Sequence, residues 1–537
     1  MGKITVAQAM VKALQEEGVE YIFGIPGAAI YPFYDALYNS DIKHILVRNE
    51  QAAVHEASGY ARSKDKVGVC VATSGPGATN LITGIATAYM DSVPIVAITG
   101  QVMSSLIGRD VFQEVDITGA TAPFCKHNFL VKDPKKIVEI IKKAFYIAST
   151  GRKGPVLIDI PFDIQQQEIE YPQSISIDIK GYKPTIKGHP LQIKKAIDLI
   201  ETAKKPLICA GGGVISSNAS DNLKKLIEKH KIPLISTLMG IGSIPTDHPF
   251  YLGMIGSHGQ KKANIALREA ELLIVVGARL GDRALGDTKI TEKMKIIHID
   301  IDPAEIGKNV GTDVPIVGDA KYILGEILNR ITEKDLCWAQ EIIDENTNKS
   351  VSNIDYLRPF EVLKEISNIY KGEYIITTDV GQHQIWAAHN TLIKKPRTFI
   401  SSGGLGTMGY GVPAAIGAKF ANPDEEVIVI TGDGSFQMLM QELATIKREM
   451  IPIKIVLFNN SRLGMVYEIQ KKRCSSRFIA TCLDGNPDFE LLAKAYSLEY
   501  LKLDNKDKLS EAISIMKNSK KPFLLEVVTK PDEPTIT

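Results

Sequence analysis

The sequence predicts an α/β protein built from three doubly wound parallel-sheet domains. Short β-branched apolar runs alternate with amphipathic helical patterns along the chain, and two polar stretches interrupt this alternation. The length of 537 residues suits about three domains of ordinary size. Apolar residues make up 44% of the chain, which is enough to give each domain its own core.

Each predicted domain contains four or five candidate strands, recognised as short apolar runs that turn-forming residues bound. The polar stretches around 165–190 and 333–353 separate the domains. The first domain, 1–165, has candidate strands at 21–24, 44–47, 67–72, 94–99 and 156–160; the central domain, 190–332, at 206–209, 233–236, 272–276 and 296–299; the third domain, 354–537, at 374–377, 427–430, 453–458 and 523–528.

Composition excludes several classes of function. The 63 basic and 62 acidic residues leave a net charge of +1, which argues against a nucleic-acid surface. The six cysteines contain no Cys-x-x-Cys pair, so neither a zinc site nor a disulfide framework is indicated. The chain starts without an apolar signal core, and no run approaches the roughly 18 apolar residues of a membrane span. We therefore expect a soluble, cytoplasmic protein with no membrane partner.

Two polar motifs follow neighbouring candidate strands of the third domain. Gly432, Asp433 and Gly434 follow one strand, and Asn460 follows the next strand along the chain. Parallel strands would bring Asp433 and Asn460 together at the carboxyl edge of a sheet, where open α/β sheets bind ligands. Their oxygens suit Mg²⁺ shared with a phosphate. The glycines allow close approach of a diphosphate, which would face the free N–H groups of a helix starting near Ser435.

These motifs resemble the diphosphate–metal motif of thiamine diphosphate (ThDP) enzymes. Residues 48–62 are similar to the segment that carries the cofactor-activating glutamate of those enzymes, which is Glu50 here. By position alone, Glu50 would be an acidic residue favourably placed at a helix N-terminus. The resemblance implies instead that its carboxyl group, in a dry pocket, hydrogen-bonds a ring nitrogen of the cofactor's aminopyrimidine.

The resemblance extends nearly from end to end and is closest to the catalytic subunits of acetohydroxyacid (acetolactate) synthases. It includes residues 24–29, 74–80, 107–114, 126–128, 154–161 and 486–489, and the block 404–417 favours the biosynthetic branch of that family. The family implies catalytic roles for Glu50, Gln113, Lys126 and Arg283; Arg283 would bind the carboxylate of a second 2-oxo acid.

The resemblance also implies the cofactor ligands. Mg²⁺ would be held by Asp433, Asn460 and the backbone carbonyl of Arg462. The residues implied to contact ThDP are Glu50, Pro76, Asn80, Val380, Gly381, Gln382, His383, Gly406, Met408, Gly432, Asp433, Gly434, Ser435, Asn460, Arg462, Gly464 and Met465.

The family implies FAD in the central domain, in a role without net redox chemistry. Taken alone, three glycines after the strand at 206–209 are a weak dinucleotide signal. The residues implied to contact FAD are Arg152, Gly211, Gly212, Gly213, His258, Gly277, Arg279, Asp282, Asp300 and Asp319.

The implied activity is ThDP-dependent decarboxylation of pyruvate and its carboligation to a second 2-oxo acid, the first common step of valine, leucine and isoleucine biosynthesis. A second pyruvate would give 2-acetolactate, and 2-oxobutyrate would give 2-aceto-2-hydroxybutyrate. The family further implies a homodimer or homotetramer with the active site at the subunit interface, and commonly a separate regulatory small subunit.

Several positions depart from the family pattern. Ile469 stands where a Trp commonly lines the second-substrate pocket, so the preference for 2-oxobutyrate over pyruvate should weaken. Asn49 replaces a His before the catalytic Glu, Gly281-Asp282 replaces Asp-Asp, and Ser257 and Gln260 alter a family motif. We also expect the family's usual C-terminal arm to be absent. Acceptor preference and FAD retention therefore stay open.

Three alternatives stay open as well. A pyruvate oxidase-like enzyme would form acetyl phosphate or peroxide, and another ThDP-dependent decarboxylase or lyase would use a different acyl donor. A cofactor-binding partner subunit without catalysis is the third, and the presence of Glu50, Asp433 and Asn460 argues against it.

Overall fold

Three six-stranded parallel sheets organise the chain in this computed structural model, which describes residues 2–286, 288–333, 335–344 and 356–536. The predicted α/β class with three parallel-sheet domains is therefore confirmed. Of the charged stretch predicted around 333–353, residues 334 and 345–353 lie outside the described residues. Positions 1, 354 and 537, which bound predicted domains, also lie outside them.

The N-terminal sheet has the strand order β3-β2-β4-β5-β7-β6, with every neighbouring pair parallel, and a two-stranded antiparallel sheet joins β1 to β8. The strands are β1 (Ile4–Thr5), β2 (Tyr21–Gly24), β3 (Lys43–Leu46), β4 (Gly68–Ala72), β5 (Ile95–Gln101), β6 (His127–Leu130), β7 (Val156–Pro161) and β8 (Glu168–Ile169). The helices are α1 (Val6–Glu16), α2 (Tyr31–Leu37), α3 (Glu50–Lys64), α4 (Pro76–Asn80), α5 (Ile82–Met90), α6 (Ile117–Thr121), α7 (Ile137–Ser149) and α8 (Phe162–Gln165).

The central sheet, also wholly parallel, has the order β11-β10-β9-β12-β13-β14. Its strands are β9 (Pro206–Ala210), β10 (Leu234–Ser236), β11 (Tyr251–Met254), β12 (Leu272–Val276), β13 (Lys295–Asp300) and β14 (Val314–Val317). Its helices are α9 (Pro190–Thr202), α10 (Gly212–Ser216), α11 (Ser220–His230), α12 (Lys261–Glu269), α13 (Asp282–Leu285), α14 (Ala320–Arg330) and α15 (Gln340–Asp344).

The C-terminal sheet is parallel in the order β16-β15-β17-β18-β20-β19. Its strands are β15 (Ile375–Thr378), β16 (Phe399–Ser401), β17 (Val427–Gly432), β18 (Lys454–Asn459), β19 (Glu499–Leu503) and β20 (Phe523–Val528). Its helices are α16 (Pro359–Tyr370), α17 (Gln382–Asn390), α18 (Gly411–Ala421), α19 (Asp433–Phe436), α20 (Leu443–Glu449), α21 (Gly464–Arg473), α22 (Phe489–Ala495) and α23 (Leu509–Asn518).

The helix predicted near Ser435 begins two residues earlier, at Asp433, and is only four residues long. Gly432 is its N-terminal flanking residue in extended conformation, so the chain turns into the helix directly from β17. Short 3-10 helices complete the described secondary structure, at Ser104–Leu106, Ala122–Phe124, Pro134–Lys136, Leu238–Gly240, Thr288–Lys293, Met440–Glu442 and Lys506–Lys508.

Helices α3 and α18 join the N- and C-terminal domains within the chain, and they approach backbone to backbone. A Cβ added at Gly59 would overlap the carbonyl oxygen of Ala414, and one added at Gly417 would overlap that of Glu56. The two glycines are therefore required by close packing. The hydroxyls of Ser58 and Tyr410 lie 2.9 Å apart across the same interface, which orients the crossing.

Two further features concern the described residues as a whole. They include no helix long and apolar enough to cross a membrane. The six cysteines, all of which are described, are free thiols.

Candidate active site

The pairing of β17 with β18 brings the two polar motifs of the third domain together. Gly432 lies opposite Phe458 in this parallel pair, so the residues that follow both strands emerge at one edge of the sheet. Asn486 connects them, because its Nδ2 donates to Oδ2 of Asp433 at 2.7 Å and approaches Oδ1 of Asn459 at 3.4 Å. Sequence reasoning did not assign Asn486 to the site.

Asp433 is buried, with 2% of its surface exposed. Burial raises the pKa of its carboxyl group to about 6, although the hydrogen bonds from Asn486 and from the backbone of Gly434 and Ser461 oppose that shift. A buried carboxylate at a sheet edge is stabilised by a cation, because the cation compensates the lost hydration of the charge.

The oxygen groups at this corner fit Mg²⁺. Asn460 donates through Nδ2 to Oε1 of Gln382 at 3.1 Å, and its Oδ1 accepts from the backbone N–H of Arg462 at 3.1 Å. The Arg462 guanidinium lies over the Tyr467 ring, so its charge is directed to that ring. In the described part of the chain, no cluster of three or more His, Cys, Asp or Glu side chains offers an alternative metal site. One carboxylate with amide and carbonyl oxygens matches the incomplete protein shell that Mg²⁺ accepts.

His383 and two glycines form a cradle beside Asp433. A Cβ added at Gly432 would lie 2.7 Å from Nδ1 of His383, and one at Gly381 would lie 2.6 Å from Cε1 of the same ring. Burial lowers the pKa of His383 to about 3, so its imidazole is neutral. Its buried Nε2 has no hydrogen-bond partner among the described residues. An unpaired buried nitrogen is costly, and a bound anionic ligand would satisfy it.

The remaining predicted ThDP contacts of the third domain surround this cradle. Ser435 donates through Oγ to the carbonyl oxygen of Val380 at 2.6 Å, and a Cβ at Gly434 would lie 4.0 Å from Cε of Met408. Gly464 begins α21, next to the half-buried Met465.

Asp379 organises these loops, and sequence reasoning missed it. It follows β15 directly, and its Oδ1 accepts from the backbone N–H groups of Gly409 at 2.7 Å and Val380 at 3.0 Å. Burial raises its pKa to about 6. An acidic residue directly after an apolar strand and before Val380-Gly381 was the signal that could have revealed it.

The loop 402–409, which contains Gly406, is attached to the N-terminal domain. Gly406 adopts φ +76°, a left-handed conformation that favours glycine. The hydroxyls of Thr407 and Thr87 lie 2.6 Å apart, and Asp91 accepts from the backbone N–H of Gly404 at 2.7 Å. These contacts hold the loop between two domains.

The structure brings Glu50, Pro76 and Asn80 together in the N-terminal domain. Glu50 is the first residue of α3, and Asn49 caps this helix by accepting from the backbone N–H of Gln51 at 2.8 Å. Asn80 donates through Nδ2 to Oε2 of Glu50 at 2.9 Å. Pro76 starts α4, the helix that ends at Asn80.

Gln113 lies against the same group. A Cβ added at Gly75 would lie 2.9 Å from Cα of Gln113, and Gln113 itself adopts φ +59°. A non-glycine residue in this region of φ is uncommon and points to a constrained loop.

The N-terminal group (Glu50, Asn80) and the C-terminal group (Asp433, Asn460) have no direct polar contact with each other in the described part of the chain. The domains are connected elsewhere, for example by the backbone N–H of Arg48, which donates to Glu442.

Lys126 and Arg283, both predicted to be catalytic, lie in different surroundings. The Lys126 ammonium donates to the carbonyl oxygens of Ile147 and Thr150 at the end of α7, and burial lowers its pKa to about 8. The Arg283 side chain is 80% exposed and lies near Asp282. Burial lowers the pKa of His258, and the positive charge of Arg283 adds to that shift, so the Arg283 guanidinium lies in the neighbourhood of His258.

Most of the residues predicted to contact FAD follow strands of the central sheet at its carboxyl edge, whereas Arg152 belongs to the N-terminal domain, between α7 and β7. Added Cβ atoms at Gly211 and Gly213 would overlap the backbone of Gly277, so close backbone packing explains both glycines. A Cβ added at Gly212 would lie 3.2 Å from Cβ of Met239. The Arg279 carbonyl accepts from Asn309, and Asp319 caps α14. Arg152 forms ion pairs with Asp302 and Glu305 at 3.1 and 2.7 Å.

Asp300 is the strongest candidate for a ribose contact. It ends β13, and burial raises the pKa of its carboxyl group to about 6. Its Oδ1 accepts from the backbone N–H of Asp302 at 2.9 Å. A carboxylate at the carboxyl end of a strand suits a ribose hydroxyl.

Models of one family match all three domains. Residues 4–120 match the N-terminal TPP binding domain of thiamine pyrophosphate enzymes, residues 193–327 match the central domain, and residues 379–527 match the C-terminal TPP binding domain.

Similar proteins cover almost the whole chain. A probable acetolactate synthase large subunit of Methanocaldococcus jannaschii is 51% identical over 98% of this chain and 92% of its own length. The acetolactate synthase large subunit of Haemophilus influenzae is 45% identical over 96% of this chain and 93% of its own length. The acetolactate synthase isozyme 2 large subunit of Escherichia coli is 43% identical over 97% of this chain and 95% of its own length. The chain therefore belongs to the thiamine pyrophosphate enzymes, within the family of acetolactate synthase large subunits.

Proposed function

We propose that this chain is the catalytic subunit of an acetolactate synthase that decarboxylates pyruvate and joins the product to a second 2-oxo acid. The observation that carries this proposal is the placement of two polar pairs: Glu50 is hydrogen-bonded to Asn80, and Asp433 and Asn460 follow the paired strands β17 and β18 at one sheet edge. In the proposed reaction, the first pair would handle a proton and the second would bind the metal.

Bound ThDP would supply the electron sink for decarboxylation. Glu50 would hold or release a proton at its carboxylate, and Asn80 would keep that carboxylate oriented. Asp433, Asn460 and the Arg462 carbonyl would hold Mg²⁺, with the diphosphate beside the cradle of Gly432 and His383. The roles of the other implied ligands stay predictions.

We propose that the active site is completed by a second copy of the chain, in a homodimer or homotetramer. The described residues show no hydrogen bond or ion pair between the N-terminal and C-terminal groups, and in the proposed assembly a partner chain brings the missing group to each. Large apolar side chains are exposed in loops close to both groups, with Phe112 87% exposed, Met438 53% and Leu405 46%. Exposed apolar groups of this kind mark interfaces. A regulatory small subunit is proposed from the names of the relatives.

The second 2-oxo acid would bind between Arg283 and α21. The exposed guanidinium of Arg283 suits a carboxylate, and Ile469 on α21 is 51% exposed. Pyruvate and 2-oxobutyrate are the proposed acceptors. FAD is proposed in the central domain without a redox role, with Asp300 facing its ribose. We propose the domain bounds 1–165 for the N-terminal domain, 190–332 for the central domain and 354–537 for the C-terminal domain.

The test is incubation of the purified protein with ThDP, Mg²⁺, FAD and pyruvate, with and without equimolar 2-oxobutyrate. Acetolactate formation would support the proposal, and the ratio of the two acetohydroxyacids would report acceptor preference. CO₂ release without acetolactate would favour a decarboxylase, and acetyl phosphate or peroxide an oxidase. A flavin spectrum after gel filtration would establish whether FAD is bound.

A further inference from the structure

The side-chain amide of Gln382 lies between the metal corner and the last described residues of the chain. Its Oε1 accepts from Nδ2 of Asn460 at 3.1 Å. Its Nε2 donates to the carbonyl oxygen of Glu533 at 2.8 Å, to Oε1 of Glu468 at 3.0 Å and to Oγ1 of Thr535 at 3.2 Å. Gln382 is 95% buried, so these contacts decide which end of the amide faces which neighbour.

Glu468 directs the Nε2 end of that amide towards itself. Its Oε1 accepts from the backbone N–H of Thr535 at 2.6 Å and from the Thr535 hydroxyl at 2.8 Å. Although burial acts in the opposite direction, the hydrogen bonds from Thr535 hold the pKa of Glu468 below its ordinary value. An ionised carboxylate can only accept hydrogen bonds. Gln382 must therefore present its NH₂ group to Glu468 and its oxygen to Asn460.

This orientation is transmitted to Asn460. Because Oε1 of Gln382 accepts, Asn460 must point its own NH₂ group at Gln382, which leaves Oδ1 on the other side of its amide. If Gln382 were reversed, its NH₂ group would face the NH₂ group of Asn460, and only the backbone N–H of Arg462 would still hold the Asn460 amide in this orientation. Only the amide oxygen can ligate a cation, so loss of the Gln382 acceptor weakens the hold on a metal ligand.

The segment 530–536, which we call the C-terminal segment, is firmly held where it contacts Gln382. The Trp386 indole donates to the carbonyl oxygen of Pro534 at 3.0 Å, and Arg358 forms an ion pair with Glu533 at 2.9 Å. Thr535 is 2% exposed. Gly464 completes the arrangement, because a Cβ at this position would overlap Oε1 of Gln382.

We propose that Glu468 and the C-terminal segment are positioning elements that orient the amides of Gln382 and Asn460 so that the Asn460 oxygen faces Mg²⁺. The proposal rests on the Mg²⁺ and ThDP site given under the proposed function. Among the described residues, Glu468 and Thr535 form hydrogen bonds with Gln382 and none with Asp433 or Asn460, so they act through Gln382. Their contribution should appear in metal affinity.

The test compares the full-length protein with the double variant Glu468→Leu/Thr535→Val, which removes two of the three acceptors of Gln382. Mg²⁺ is titrated at saturating ThDP, with calorimetry and the intrinsic fluorescence of the two tryptophans, Trp338 and Trp386, as readouts. We expect the Mg²⁺ dissociation constant to rise about 10–100-fold, the range seen when groups that orient metal ligands are lost. We also expect excess Mg²⁺ to restore most of kcat.

The matched control is Glu468→Gln. The fixed N–H of Thr535 would keep the amide oxygen of the new side chain in the Oε1 position, so an acceptor for Gln382 remains. We expect its Mg²⁺ affinity to stay near that of the unmodified protein. Deletion of residues 532–537 is the second variant, and it should weaken Mg²⁺ binding at least as much as the double variant because it also removes the Glu533 carbonyl.

The outcomes separate the proposal from its premise. Unchanged Mg²⁺ affinity in the double variant and in the deletion would overturn the positioning role. Equal losses of Mg²⁺ affinity in Glu468→Gln and in the double variant would also overturn the positioning role. The affinity would then depend on the negative charge of Glu468 and not on its hydrogen-bond acceptor for Gln382. If the unmodified protein bound no Mg²⁺ with ThDP, the proposed cofactor site itself would fail. Thermal unfolding of the double variant and of the deletion without cofactor, compared with Glu468→Gln, should show that both remain folded at the assay temperature, which excludes general misfolding.

Discussion

Asn80 donates a hydrogen bond of 2.9 Å from its side-chain amide to Oε2 of Glu50, and this pair links the start of α3 to the end of α4. The other oxygen, Oε1, faces Gly77, where an added Cβ would lie 3.4 Å away. One oxygen is thus held by the protein and the other borders a position without a side chain. This arrangement suits a carboxylate that exchanges a proton with a ligand.

We expect Glu50→Gln to lower turnover of pyruvate by at least about 100-fold, the lower range for loss of a proton-transfer group. ThDP binding should be largely retained, because the substitution preserves the size of the side chain. Steady-state acetolactate formation and ThDP calorimetry would measure the two effects. Glu139→Gln, at an exposed pair with Lys143, should leave both unchanged. Full turnover in Glu50→Gln would contradict the assigned role.

Asp433→Asn should weaken Mg²⁺-dependent ThDP binding by at least about 10-fold, because it removes the negative charge of a proposed metal ligand. Loss of a group that only orients a metal ligand already lowers metal affinity by about 10-fold or more. Equilibrium dialysis of ThDP with and without Mg²⁺ would show the change. Asp488→Asn is the control, because Asp488 is exposed and caps α22, and Asn caps a helix equally well. Equal ThDP retention in both variants would argue against a metal role for Asp433.

Ile469→Trp should raise the share of 2-aceto-2-hydroxybutyrate formed from equimolar pyruvate and 2-oxobutyrate. Ile469 is half-exposed on α21, and a larger apolar surface there would favour the acceptor with the additional methylene group. One methylene in an apolar pocket is worth about 1–3 kcal/mol, so the product ratio should change about 10-fold or more. Leu491→Trp, on exposed α22, should leave the ratio unchanged. A constant ratio in Ile469→Trp would remove Ile469 from the acceptor pocket.

Gly417→Ala should destabilise the contact between the N- and C-terminal domains by about 1–3 kcal/mol or more, the usual cost of overpacking. The added methyl group would overlap the Glu56 carbonyl, a backbone atom that cannot move independently. Thermal unfolding would report the loss. In the control, Gly325→Ala, the new Cβ would meet only the flexible end of Asn222 at 3.3 Å. That variant should be neutral or slightly more stable, since Ala favours helix by about 1 kcal/mol. The same midpoint in both variants would contradict this account.

Asp159 should make the N-terminal domain less stable as the pH rises. It is 1% exposed on β7, and burial raises the pKa of its carboxyl group to about 7, although hydrogen bonds from Thr99 and Gln101 oppose this. Between about pH 4 and 7 the unfolded chain is deprotonated at this position while the folded chain keeps its proton. The unfolding free energy therefore falls through this window and levels off above it.

Asp159→Asn removes that titration. As the pH rises from 4 to 7, the midpoint temperature of unfolding of this variant should therefore increase relative to the midpoint of the unmodified protein. Thermal unfolding of both proteins at several pH values measures the difference between their midpoints. The other titratable groups are the same in both proteins, so their contributions cancel in this difference. Asp163→Asn, outside the sheet, is the comparison. A difference between Asp159→Asn and the unmodified protein that did not depend on pH would contradict the prediction.

The strands that sequence analysis missed in the three parallel sheets are all edge strands. They are β6, β11, β14, β16 and β19. Central parallel strands such as β5 and β12 are covered on both faces and therefore consist almost wholly of apolar residues, which makes them visible as runs. An edge strand such as β19, Glu499–Leu503, has one open side and carries polar residues, so no apolar run marks it. β1 and β8 were missed because each has only two residues.

The candidate site divides in a similar way. Asp433 and Asn460 were predictable because each follows a recognisable central strand, and β17 and β18 pair as expected. Asn486 could not be predicted as their connection, because it lies in a loop 53 residues after Asp433. Helix α19 was shorter and earlier than expected, since the chain bends directly at the end of β17.

The sequence by itself determined the α/β class, the central strands, the polar residues that end them and the family. Burial on both faces of a parallel sheet leaves a pattern in the order of residues, and motifs next to those strands keep their spacing. Only the tertiary structure decided that Asn80 holds Glu50, that Asp379 organises the loops around Gly409, and that Gln382 links Asn460 to Thr535. The physical reason is that these hydrogen bonds join residues 30 to 153 positions apart in the chain. Such residues meet only through the packing of whole helices and strands, and no local sequence pattern records that packing.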